Sequence, residues 1–323
     1  MLGSKKLLQL PLWAQMLSIY WLARQFRYDL RSSNWHDQPL PLFSGEEASS
    51  PVIVIGMHRS GTSLLTRLLQ RLGLWMGKHQ GTDTNEAIFF QTLNYALFSV
   101  AHARWDQPTA IHYVLNQSAL CNVLAHRLYH ECKSPRTLSY FGWQQYVVNP
   151  SLHQFSQPWG WKDPRNTFTL PIWLRVFPQA KVVHIYRNGI DVSHSLVLRE
   201  QIPSCSGGEM SIRCCQYDSA FDLWAEYMEM AHQQLQPLPQ FQKLEIAYET
   251  LITQPTQSLH RLSQFCGTPR SPLEVETWAA ECRRDRTYAF VNHPNLVKFY
   301  YQRQQHPMMK AYGYSDLAHR LSF

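Results

Sequence analysis

Apolar positions along this chain alternate between short β-branched runs and longer stretches of helical period. Val52-Ile53-Val54-Ile55, bounded by Pro51 and Gly56, reads as a buried parallel strand. Leu64, Leu65, Leu68 and Leu69 follow at helical spacing, with Arg67 and Gln70 between them. Gly56 to Ser63 is therefore a strand-to-helix turn, with Gly61, Thr62 and Ser63 at the helix start and the helix ending near Gly73. Val182-Val183-His184-Ile185-Tyr186 is a second strand candidate. Arg187 ends it, Asn188-Gly189 turns the chain, and a helix opens at Ile190-Asp191-Val192 carrying Ser193 and Ser195. Tyr217 to Leu235 is a strong helical pattern, with Phe221, Trp224 and Met228 on one side. Leu244 to Tyr248 is a third strand candidate, and a helix from Gln257 to Cys266 stops at Gly267. Apolar strands separated by helices imply an α/β fold, a three-layer parallel sheet flanked by helices.

The segments between are less sharply written. Residues 32–50 are rich in Ser, Pro, Asp, Glu and Gly and read as a linker, so 1–50 divides from a core domain at 51–323. Asp83 and Thr84 can start a helix whose apolar side holds Phe89, Phe90, Leu93 and Leu97. Val100 to Trp143 is mainly helical and is expected to form a lid beside the sheet. Its Trp105, Tyr113, Tyr129 and Trp143 belong either to the core or to a ligand pocket. Lys162, Asp163 and Arg165 surround Pro164 after two Trp, which makes either a solvated corner or a ligand-facing turn. Ile202 to Cys215 reads as a flexible loop, and the polar, aromatic tail from Ser271 shows no clear pattern.

Sheets of this kind bind ligands at the carboxyl ends of their strands, where two of these turns lie. A helix N-terminus presents unpaired N–H groups and positive dipole, so the first turn is a natural anion seat. GMHRSGTS is close to GxxxxGK[ST], the loop that holds nucleoside triphosphates, but Thr62 stands where that loop needs Lys. The cation comes earlier, at Arg59. Such a loop can hold phosphate-like oxygens but is poorly suited to a magnesium triphosphate. Arg187 and Ser195, two helical turns apart, could face one phosphate, or Arg187 could be an ordinary strand-end cation.

Composition narrows the class. The chain has 323 residues, 45% of them hydrophobic, which is enough for a large core. A net charge of +7 favours an anionic ligand or surface, and without a long Lys/Arg run or a recognisable binding motif it does not argue for nucleic acid. Seven scattered Cys without zinc spacing read as reduced thiols of a cytoplasmic protein, with a loop disulfide among Cys205, Cys214 and Cys215 the lesser alternative. Leu7 to Leu22 is apolar after Lys5 and Lys6, yet holds Gln9, Pro11 and Gln15 and is short for a span. With Arg24, Arg27 and Arg31 following, it reads as an amphipathic helix packed on the domain or making peripheral contact with a membrane.

These residues resemble a family. IGMHRSGTSLL is similar to the 5′-phosphosulfate loop of sulfotransferases that use 3′-phosphoadenosine 5′-phosphosulfate (PAPS), and VVHIYRNGIDVSHSL is similar to their 3′-phosphate motif. WKDPRNTFTLPIW and LEIAYETLITQP also resemble segments of that family, so the likeness runs from about Val52 to Gly267. Arg59, rather than Lys, resembles the carbohydrate and tyrosylprotein type. The resemblance implies a P-loop-containing nucleotide-hydrolase-like fold and metal-independent, in-line transfer of a sulfuryl group to a hydroxyl or amine. It implies that Gly56, His58, Arg59, Ser60, Gly61, Thr62 and Ser63 bind the 5′ end of PAPS, and Arg187 and Ser195 the 3′ phosphate. Arg59 and Lys162 would hold the transferring and bridging oxygens. Many relatives carry Asn-Pro-x-Gly-Tyr-x-Glu after the loop helix; here NEAIFFQ puts Gln91 at the Glu position. Glu86 is then the nearest proton acceptor, followed by Asp83 and His79. The acceptor, whether small molecule, glycan, lipid or peptide, is not legible. A P-loop kinase or nucleoside triphosphatase, and a non-catalytic binder of adenosine 3′,5′-bisphosphate or a glycan, are the competing readings.

Overall fold

The computed structural model describes residues 12–41, 49–81, 84–202, 210–280 and 287–317. In chain order the first elements are α1 (Leu12–Ser32), β1 (Val52–Ile55), α2 (Thr62–Arg71), α3 (Ile88–Val100), α4 (His112–Leu115), α5 (Ser118–Glu131) and α6 (Leu138–Val148). Next come β2 (Gly160–Lys162), α7 (Asn166–Val176), β3 (Lys181–Tyr186), α8 (Gly189–Gln201), α9 (Tyr217–Leu235), β4 (Lys243–Ala247), α10 (Tyr248–Thr253) and α11 (Pro255–Cys266). The last are α12 (Pro272–Ala280), α13 (Pro294–Arg303) and α14 (Pro307–Ala311). The class is α/β, as the alternation of patterns implied. Two compact units form, one of Met1–Pro51 with Trp75–Ala180, the other of Val52–Leu74 with Lys181–Phe323.

The second unit is built on parallel strands. β3 lies between β1 and β4, with Val52 opposite Lys181, Ile55 opposite His184, Val182 opposite Lys243 and Tyr186 opposite Ala247. All four β1 residues are buried, which explains why the strand is a continuous apolar run rather than an alternating one. α9 occupies the predicted span and buries Phe221, Trp224 and Met228. α11 starts two residues earlier than expected because Pro255 occupies its first turn, and Gly267 closes it at φ 72. The patternless tail contains α13 and α14, each with Pro in its first turn. Cys214 and Cys215 are free thiols, while Cys205 lies outside the described residues.

The first unit is helical around an aromatic core. Phe90 stacks on Trp161 at 3.9 Å between centroids, and Trp159, Trp173 and Tyr140 surround them, all fully buried. Asn94 joins α3 to α7: its amide N donates to Asp163 (3.0 Å) and Asn166 (2.8 Å), while its oxygen accepts from Thr169 and Trp173. α3 begins at Ile88, later than Asp83 or Thr84 would have it. Asn85 takes φ 55 and Gln80 bridges Ala87, so residues 84–87 fold back instead of winding into the helix. Trp105 and Tyr129 are core residues, whereas Tyr113 and Trp143 are exposed. α1 packs on α3 and α5, and the part of its apolar run before Leu12 lies outside the described residues.

Candidate functional site

The candidate residues gather in two groups, one in each unit. In the second unit β1 ends at Ile55 and the chain turns through Gly56–Ser60 into α2. Gly56 has φ 139, and a Cβ there would meet the backbone oxygen of Ile185 on β3 at 2.2 Å, so only glycine lets the loop pass the neighbouring strand. Gly61 caps α2 at φ 94, and a Cβ would stand 2.4 Å from the Tyr248 ring. Between them Arg59 takes φ 68, a conformation costly for a side-chain-bearing residue and frequent in ligand clamps. Ser60 and Thr62 are buried, His58 and Ser63 half-buried, and Arg59 exposed. The His58 ring sits edge-on to Tyr227.

β3 delivers Arg187 to the same place. Its Nη1 donates to the Arg59 carbonyl (3.4 Å), its Nη2 to Asp191 (3.3 Å), and its guanidinium lies 4.7 Å over the Tyr248 ring. Arg59 Nε in turn donates to Ser195 Oγ (2.9 Å) on α8. The two sequence motifs, more than a hundred residues apart, thus meet through three side chains. The N-terminus of α8 is capped by Asn188, whose Oδ1 accepts from Ile190 N (2.9 Å) and Asp191 N (3.4 Å). Asn188 N donates to Glu249, which also accepts from Tyr314. Asp191 accepts from Phe290 N (3.0 Å); burial pushes its carboxyl up, against the pull of Arg187.

The first unit holds the second group. Lys162, at the end of β2, donates to the Thr84 carbonyl and to Glu86 Oε1 (3.2 Å), with both side chains almost fully buried. Glu86 Oε2 accepts from Gln91 (2.5 Å). Burial alone would raise the Glu86 carboxyl, but the positive charges of Lys162 and Arg165 bring it below its ordinary value. Glu86, which the sequence pointed to as a proton acceptor, is paired with Lys162, and both its carboxylate oxygens are engaged. Lys162 likewise sits in that pair rather than at a solvated corner. Arg165 grips both oxygens of Asp163 (2.8 and 2.9 Å) and stacks 3.6 Å over Tyr95. His79 is held below its usual range by burial and by Lys78, and Asp83 lies outside the described residues.

Gly56–Ser63, Arg187 and Ser195 therefore come together, as do Lys162 and Glu86. Sequence reasoning missed Tyr248 and the pairing of Asp191. The second was findable, since Asp191 stands only four residues after Arg187, across the turn from β3 into α8. Tyr248 had no such signal, because its position follows from where β4 ends beside β3.

Among solved structures, the sulfotransferase domain of the Synechococcus PCC 7002 olefin synthase is 17% identical, over 81% of this chain and 86% of that one, with a TM-score of 0.44. Sulfotransferase STF9 from Mycobacterium avium is 15% identical, over 88% of this chain and 81% of that one, with a TM-score of 0.41. No curated protein matches. The model described as "Sulfotransferase family" matches residues 51–272, well over half of the chain and inclusive of every candidate residue above. The chain belongs to the sulfotransferase family.

Proposed function

We propose that this protein transfers a sulfuryl group from PAPS to a hydroxyl or amine of an acceptor. The observation that carries the proposal is the joining of Arg59, Arg187 and Ser195 at the carboxyl ends of β1 and β3. Two guanidinium groups and the N-terminus of α2, which no side chain caps, suit in one cradle an adenylate charged at both its 3′ and 5′ positions. In this reading Gly56, His58, Ser60, Gly61, Thr62 and Ser63 surround the 5′ phosphate, and Arg187 and Ser195 take the 3′ phosphate. When bound, the donor supplies the activated sulfuryl group and leaves as adenosine 3′,5′-bisphosphate. Arg59 offers its guanidinium to oxygens on which charge builds during transfer. Asp191 and the Tyr248 ring hold Arg187 in position. Glu86 serves as the charge partner of Lys162, not as the proton acceptor.

Thr62 in place of the triphosphate-binding Lys weighs against ATP as ligand. A non-catalytic adenylate binder is the second reading, favoured by the engagement of both Glu86 oxygens. Titration calorimetry tests the donor site. Arg187→Ala should weaken adenosine 3′,5′-bisphosphate binding by about ten- to a hundredfold, the worth of a hydrogen bond to a charged group, with AMP binding nearly unchanged. Equal losses for both ligands would remove the 3′-phosphate role. Turnover of labelled PAPS across hydroxyl and amine acceptors separates enzyme from binder.

A further inference from the structure

We infer that α1 seats this protein on an anionic membrane surface. The helix runs from Leu12 to Ser32 and buries Leu22, Ala23 and Phe26 in its own unit. The opposite side is not polar. Met16, Leu17, Tyr20 and Trp21 are 63%, 59%, 60% and 48% exposed, and Tyr28 is 67% exposed. Arg24 and Arg31 are exposed on the same side. At 100° per residue these positions fall within an arc of about 140°. Asp29, the one acid of α1, points inward and pairs with Arg127 at 2.6 Å. The arc therefore carries aliphatic, aromatic and basic side chains and no carboxylate. Arg136, paired with Glu131 at 3.5 Å, lies 4.8 Å over the Trp21 ring.

Large apolar side chains gathered on one exposed face mark a docking surface rather than chance exposure. The chemistry of this face selects its occupant. Trp and Tyr beside aliphatic anchors, with Arg along the same stripe, match the headgroup boundary of a bilayer. The absence of acids fits an anionic lipid and fits a second copy of the chain poorly. A twofold pairing through this arc would set the Arg24 and Arg31 side chains against a surface of the same sign, with no carboxylate to meet them. No described helix is long and apolar enough to cross a membrane, so α1 lies along the surface.

Co-sedimentation of the full chain with vesicles tests this. Binding is expected to phosphatidylcholine vesicles containing about a third phosphatidylglycerol, to weaken as salt is raised, and to be slight on phosphatidylcholine alone. Arg24→Gln with Arg31→Gln should lower partitioning about thirtyfold, the effect of withdrawing two basic side chains from an anionic surface. Leu17→Gln with Trp21→Gln should also lower it severalfold, and Phe241→Ser, an exposed position in the other unit, should leave it unchanged. All replaced side chains are exposed, so melting temperatures should hold. Equal partitioning of wild type and the double variants would overturn the proposal, as would equal loss in Phe241→Ser. A dimer in light scattering that Leu17→Gln with Trp21→Gln dissolves would give the face to a second copy instead.

Discussion

An ammonium group out of contact with water survives only where a counter-charge and further acceptors replace the solvent. Lys162 has both, in Glu86 and the Thr84 carbonyl, and Glu86 has Gln91 as its second partner. Removing either charge strands the other, which costs about 3–5 kcal/mol. Lys162→Met and Glu86→Leu made singly should each lower unfolding stability by about that much, measured in urea. The double variant should lose much less than the sum of the two, because no charge is left buried alone. Additive losses would mean that the two groups do not stabilise each other.

At the scale of elements, α8 links the fold to the candidate site, since Arg187 precedes it and Ser195 rides on it. Asn188 satisfies two of its first N–H groups from one carbonyl oxygen. Asn188→Ala should lower stability by about 1 kcal/mol, the usual worth of such a cap. It should also weaken adenosine 3′,5′-bisphosphate binding more than an equally destabilising substitution in α11, because α8 carries Ser195 whereas α11 carries no candidate binding residue. Thermal melting and calorimetry on the two variants check both parts. β1, α2, β3, α8 and α9 were legible because each writes its burial into a local period of apolar residues. So was the cradle, since its glycines and Arg187 sit at element ends that the same periods mark. The onset of α3 was not, because Asn85 adopts positive φ and the Thr84 carbonyl is claimed by Lys162 from a distant segment. The Glu86 partnership was hidden for the same reason: Lys162 lies 76 residues away. α14, with five residues, is too short for a period to emerge, and Pro294 and Pro307 were the available start signals of α13 and α14.

Over the whole molecule, the histidines set the response to acid. His79, His130, His153, His194 and His306 are all held below their ordinary value, with burial the largest cause in each. His153 is lowered furthest, to about 3, by burial and by the charge of Lys133. The unfolded chain takes up these protons near pH 6.5, whereas the folded chain resists them. Stability therefore falls as pH drops from about 6.5, and for His153 the loss continues down to about 3. Glu86, lowered by its ion pair, adds a loss in the same direction nearer the carboxylate range. Glu131, Asp163, Asp191 and Glu249 are raised by burial, so they bind protons more readily when folded and oppose the trend as they titrate. The contribution of His153 can be singled out by difference. Urea midpoints of wild type should decline from pH 7 toward pH 5, and those of His153→Gln should decline less steeply, because that side chain takes up no proton in either state. Parallel curves for the two proteins would show that His153 ionises alike in the folded and unfolded chain.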